Sequence, residues 1–149
     1  MKKLLSFILI GALLFTTVNV QAQFRSIPGI VTDSFKVRYP SATAVSWEDK
    51  VTAFQATFTL NNEKYQAKYN KDGGWISSDR KIKPDALPEV VKDGLSKSKY
   101  AEWKVGTITQ RYFPGDSVNY IIFVAKSDIT RKNLTFSTKG QLLKDNTTL

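Results

Sequence analysis

Phe54–Trp75 reads FQATFTLNNEKYQAKYNKDGGW, and this stretch decides the fold. Over Val51–Leu60, Phe54, Ala56, Phe58 and Leu60 fall on one side and Gln55, Thr57 and Thr59 on the other. Over Glu63–Tyr69, Tyr65, Ala67 and Tyr69 oppose Lys64, Gln66 and Lys68. Such alternation marks strands with one buried face and one wet face. Asn61-Asn62 between them is a two-residue hairpin signal. Asn70-Lys71-Asp72-Gly73-Gly74 is a second turn, and Trp75-Ile76 opens a short fourth strand. Upstream, Ala44–Glu48 alternates, with Val45 and Trp47 pointing one way. The pattern predicts an antiparallel meander of four strands.

The apolar face needs a cover, and the residues before the meander supply one. Pro28 suits the first turn of a helix, with Ser26 as its expected N-cap. Ile27, Ile30, Val31, Ser34 and Phe35 then follow helical spacing as one apolar stripe. Pro40 ends the helix, because a residue before proline disfavours the α region. A helix of about 12 residues does not persist alone in water, so it must lie on the sheet.

The unit then returns. Ile27-Pro28, Ile30, Val31, Asp33 and Phe35 recur sixty residues later as Leu87-Pro88, Val90, Val91, Asp93 and Leu95. Phe54, Ala56 and Phe58 recur after sixty-six as Tyr120, Ile122 and Val124. The turn ending in Gly73 recurs after sixty-seven as the one ending in Gly140. Ser78–Pro84 reads as a linker, Asp85 as a cap, and Ala86–Ser98 as a second helix. Strands follow at about 103–112, 118–126, 131–137 and 141–144, with a turn at Phe113-Pro114-Gly115-Asp116. The expected fold is α+β: a tandem repeat of a helix plus a four-stranded antiparallel meander, with the helices on one side of the sheet or sheets. The repeats span about 25–80 and 85–145 of one domain, 23–149.

The two copies differ on the outward side of the second strand. Gln55, Thr57 and Thr59 in the first copy correspond to Ile121, Phe123 and Ala125 in the second. The later strand is therefore apolar on both faces. Either the chain covers it locally, or it forms an exposed apolar patch for a partner.

The ends and the composition set the compartment. Met1-Lys2-Lys3, an apolar run from Leu4 to Phe15, and Val20-Gln21-Ala22 have the form of a secretory signal peptide over 1–22, with cleavage after Ala22. The expected location is periplasmic or secreted. Without Lys2 and Lys3 the chain has 20 basic and 13 acidic side chains, a net charge of +7. In an exported protein this charge gives a weak attraction to anionic envelope surfaces rather than pointing to nucleic acid.

The residue types narrow the chemistry. The chain has no His and no Cys. That removes the common triads and dyads of nucleophilic catalysis and the usual zinc ligand sets. Asp72, Asp116 and Asp128 sit in or near turns, where Asp serves local hydrogen bonding. Gly73-Gly74 lies in a hairpin and not before a long helix, so it is no phosphate cradle. No enzyme activity, cofactor or metal is expected. Trp47, Trp75 and Trp103 read as core or half-core packers.

Several of these runs resemble a known family. Tyr39-Pro40-Ser41-Ala42, Val45-Ser46-Trp47-Glu48, Lys71-Asp72-Gly73-Gly74-Trp75-Ile76 and Leu87-Pro88-Glu89-Val90-Val91 resemble the PepSY-like family of exported bacterial proteins, also described as β-lactamase-inhibitor-like. The resemblance implies tandem helix-plus-sheet units and a binding or inhibitory role toward another exported protein. It carries no catalytic residues. The second copy departs from it, with Leu142 where the first has Trp75.

The expected function is non-enzymatic binding of another exported protein through the open sheet face. Gln55, Thr57, Thr59, Lys64, Gln66, Lys68, Ile121 and Phe123 are the candidate contacts. Two alternatives stand beside it: direct inhibition of a β-lactamase or peptidase, through a hairpin such as Asn61-Asn62 or Pro114-Gly115-Asp116, and an envelope-surface or small-molecule binding module. The chain is expected as a monomer or an edge-strand dimer.

Overall fold

The computed structural model describes residues 26–148, so the signal-peptide expectation for 1–22 lies outside the described residues. The chain forms one antiparallel sheet of eight strands in sequence order. Helix α1 (Gly29–Arg38) precedes β1 (Thr43–Asp49), β2 (Phe54–Leu60), β3 (Glu63–Tyr69) and β4 (Trp75–Ile82). Helix α2 (Glu89–Ser96) precedes β5 (Lys104–Phe113), β6 (Ser117–Ala125), β7 (Arg131–Ser137) and β8 (Leu142–Thr148). The open question of one sheet or two is answered by β4, which pairs with β5 from Ser78↔Tyr112 to Ile82↔Ile108.

The first hairpin follows its sequence signals closely. Asn61 and Asn62 both take positive φ, 51° and 65°, as a tight two-residue turn requires. The register from Phe54↔Tyr69 to Leu60↔Glu63 is unbroken. At the next turn, Asn70 Oδ1 accepts hydrogen bonds from the amides of Asp72 and Gly74, at 3.0 and 2.7 Å.

Two apolar clusters form the core. Val31 and Phe35 of α1 pack with Phe54, Ala56, Phe58, Ala67 and Tyr69. Val91 of α2 packs with Leu87, Tyr100, Ile108, Ile122, Leu134 and Phe136. Cross-strand partners share a face, and the pairings place the strand residues of both clusters on the same side of the sheet. Trp47, Trp75 and Trp103 are half-buried at the cluster margins.

Each helix rests on a turn glycine. A Cβ on Gly73 would meet Ile30 O at 2.9 Å and Ser34 Oγ at 2.8 Å. A Cβ on Gly140 would meet Val90 O at 2.1 Å, and one on Gly94 would meet Gly140 O at 2.1 Å. Both turn glycines have positive φ, 81° and 75°.

Four expectations need correction. Ser78–Pro84 is not a linker: Ser78–Ile82 is the second half of β4, and Pro84 opens a 3-10 turn. The N-cap of α1 is Pro28, with no side-chain cap from Ser26. Asp85 does not cap α2. It sits in a separate 3-10 turn, Pro84–Ala86, and α2 starts after Pro88. The last strand runs to Thr148, beyond the expected 144. The helix–strand connection before β5 is longer than the one before β1, 97–103 against 39–42, and β5 has ten residues against seven in β1.

Candidate functional site

The face opposite the helices is built by strand parity. Along β2 and β3 it carries the pairs Gln55–Lys68, Thr57–Gln66 and Thr59–Lys64. Register continues the middle row across the sheet as Thr57–Gln66–Asp79–Arg111–Asn119–Ser137. Lys81, Thr109, Ile121, Thr135 and Lys144 form a second row, and Phe123 pairs with Asn133. All eight candidate residues named from sequence therefore lie on one face of one sheet.

Their exposure differs from expectation at three of them. Gln55 is buried, at 7% exposure, although it was expected in the wet row. Ile121 and Phe123 are half-buried and form no exposed apolar patch. The reason is position. β6 lies between β5 and β7, so Thr109 and Thr135 flank Ile121. A Cβ on Gly106 would meet Phe123 Cδ1 at 2.7 Å, so the ring lies against bare backbone. Thr57, Thr59 and Lys68 are half-buried, while Lys64 and Gln66 are exposed.

The face has polar residues that sequence reading missed. Arg111 donates to Asp79 through Nε and Nη2, both at 2.6 Å, a two-point ion pair at mid-sheet. These hydrogen bonds raise the Arg111 pKa above its already high ordinary value, against the opposing effect of burial. Thr57, Lys64, Gln66, Asp79, Lys81 and Thr109 border a groove of about 380 Å³ on this face, and Tyr65 and the paired Glu63 and Arg80 line it as well. Asp79 and Lys81 were missed because their segment was read as a linker.

The helix side has its own polar seam between the two cores. Tyr39 Oη and Ser78 Oγ are 2.6 Å apart, and Trp75 Nε1 donates to Ser78 Oγ at 2.8 Å. Arg80 donates to Gln110 at 2.9 Å and also pairs with Glu63. Glu63, near the Asn61-Asn62 turn, is thus held by β4. The Tyr69 hydroxyl is buried with no hydrogen-bond partner among the described residues, and its pKa is raised mainly by burial. At the far edge, Tyr100 Oη and Lys99 Nζ both bind the Asp145 carboxylate and lower its pKa.

Among the described residues, no three or more Asp or Glu side chains gather as a metal site. No described helix is long and apolar enough to cross a membrane.

This architecture defines a class of known structures, with which the chain shares an α+β, BLIP-like (β-lactamase-inhibitor-like) fold. A DUF2874 family protein from Bacteroides ovatus matches at 27% identity and a TM-score of 0.75, over 80% of this chain and 86% of that one. A BLIP-like protein from Bacteroides fragilis matches at 23% and 0.73, over 80% and 85%. A Bacteroides eggerthii protein described as periplasmic matches at 22% and 0.73, over 80% and 88%. No family model and no curated protein matches the chain.

Proposed function

We propose that this chain is an exported, non-enzymatic binding protein that recognises another exported protein through the open sheet face. One observation carries the reading: both helices pack on one side, and the other side of all eight strands is left without a helix over it. Its size fits the role. Eight strands about 4.8 Å apart and about 23 Å long present roughly 880 Å², and a standard interface takes about 800 Å² from each partner.

Export rests on the N-terminal sequence pattern and on the neighbour described as periplasmic. The lack of His and Cys supports a non-catalytic role. The repeated residue pattern, and the matching seats of α1 on Gly73 and α2 on Gly140, support duplication of one PepSY-like unit.

The test is capture of partners from envelope extract by immobilised protein. Gln66→Trp would place a bulky ring on the exposed face, and Lys36→Trp would place one on α1. The expected result is loss of the captured partner with Gln66→Trp only. Loss with Lys36→Trp alone would move recognition to the helix side.

A further inference from the structure

The charge of this protein is not spread evenly over its surface. The described residues hold 19 basic and 13 acidic side chains, a net charge of +6. Register assigns seven of those cations to the open face: Arg111 and the six residues Lys64, Lys68, Lys81, Lys104, Arg131 and Lys144. Only Glu48 and Asp79 oppose them there. The open face therefore holds +5, and everything else, with 12 basic and 11 acidic side chains, holds +1.

Ion pairing divides in the same way. On the helix side, Lys36, Arg80, Lys92, Lys97 and Lys99 each pair with a carboxylate. On the open face Arg111 is paired with Asp79, and Glu48 on the edge strand is paired with Lys50 just beyond the end of β1. The other six cations there have no ion pair among the described residues. Lys64 and Lys81 flank the Tyr65↔Arg80 pair on adjacent strands and border the same groove. Like charges on neighbouring strands destabilise the free sheet, and a carboxylate set between them would relieve that repulsion.

We propose that the partner of the open face is a protein with an acidic surface, which places a carboxylate in the groove between Lys64 and Lys81. This rests on the reading of the open face as the recognition surface and names the chemistry of what it binds. Thr57, Thr109 and Gln66 offer uncharged hydrogen-bonding groups around the two ammonium groups. A protein suits the pattern better than a uniformly anionic surface. The cations are separated by Thr, Gln, Asn and Ser side chains, so they are discrete points of positive charge rather than an unbroken positive surface. Complementary charge of this kind acts chiefly on association rate and partner choice.

The test compares two charge reversals of equal size: Lys64→Glu/Lys81→Glu/Lys144→Glu on the open face, and Lys36→Glu/Lys92→Glu/Lys97→Glu on the helices. The probes are poly-L-glutamate, alginate and phosphatidylglycerol vesicles at matched charge and low salt. Poly-L-glutamate is expected to bind most tightly. The open-face reversal should weaken that binding at least about tenfold, the helix reversal less than about threefold, and about 1 M salt should abolish it. Equal losses in both variants would mean that net charge alone is responsible and would overturn the proposal. Tighter binding of alginate or vesicles would overturn it in favour of another polyanion. A partner whose capture is blocked by Gln66→Trp, but unaffected by salt and by the open-face reversal, would sink the acidic-partner proposal alone. Capture unaffected by Gln66→Trp would sink the recognition surface itself.

Discussion

Gly94→Ala sets two physical effects against each other. Gly94 lies inside α2, where helix propensity alone favours alanine by about 1 kcal/mol. The added Cβ would stand 2.1 Å from Gly140 O, whereas ordinary contact begins at 3.4 Å, so α2 must lift by 1.3 Å. A gap of about 1 Å already forfeits up to half of each contact's attraction, and Val91 and Leu95 of α2 pack in the core. Overpacking costs about 1–3 kcal/mol, and the upper end applies because backbone faces backbone. After the propensity gain, a net loss of about 2 kcal/mol remains, or about 8 °C in Tm. Gly29→Ala is the control: nothing lies within 4 Å of its added Cβ, so a gain of about 0.5 kcal/mol is expected. Urea unfolding followed by tryptophan fluorescence would measure both, as a change in midpoint at constant m-value. A Gly94→Ala protein as stable as the parent would refute the close seat of α2 on the β7–β8 turn.

Three further outcomes follow from named contacts. Tyr69→Phe removes a buried hydroxyl that has no partner among the described residues, so stability should rise by about 1 kcal/mol; thermal unfolding that falls instead would show that the hydroxyl is bonded. Tyr100 and Lys99 hold the folded-state pKa of Asp145 below its unfolded value. Their contribution is present above the ordinary carboxylate pKa and is lost as pH falls through the folded-state value. Asp145→Asn should therefore lower stability at neutral pH and flatten its acid-side decline, and an unchanged acid limb in pH-dependent unfolding would contradict this. Arg111→Ala leaves the Asp79 carboxylate, 15% exposed, without its partner. With solvent screening discounted, it should cost about 1–2 kcal/mol in urea unfolding, and Arg111→Ala/Asp79→Ala should recover part of that; no recovery would mean the pair is not coupled.

The hairpin 54–69 was legible because its strands bury one side and wet the other, so apolar period and turn chemistry agree. β4 was not legible. It crosses the seam between the two cores, where its inward residues Ser78 and Arg80 bond to Tyr39, Trp75, Gln110 and Glu63 instead of packing as hydrophobes. With polar residues on both sides it shows no period of two. The start of α2 was misread because Asp85 has the chemistry of a cap, yet Pro88 fixes the entry and leaves Asp85 in a turn of its own. The eight candidate residues were placed on one face by simple alternation. The concentration of charge was hidden, because its cations are scattered from Lys64 to Lys144. A bulge between Val105 and Ile108 also shifts parity within β5, and only register brings Lys104 and Thr109 to the same side.

The central claim is that the open sheet face is the recognition surface. Lysine acetylation read by mass spectrometry, on the protein alone and with its captured partner, tests it most directly. The account predicts that Lys64, Lys68, Lys81 and Lys144 lose reactivity in the complex while Lys36, Lys92 and Lys97 keep theirs. Protection of the helix lysines, with the sheet lysines unchanged, would contradict it.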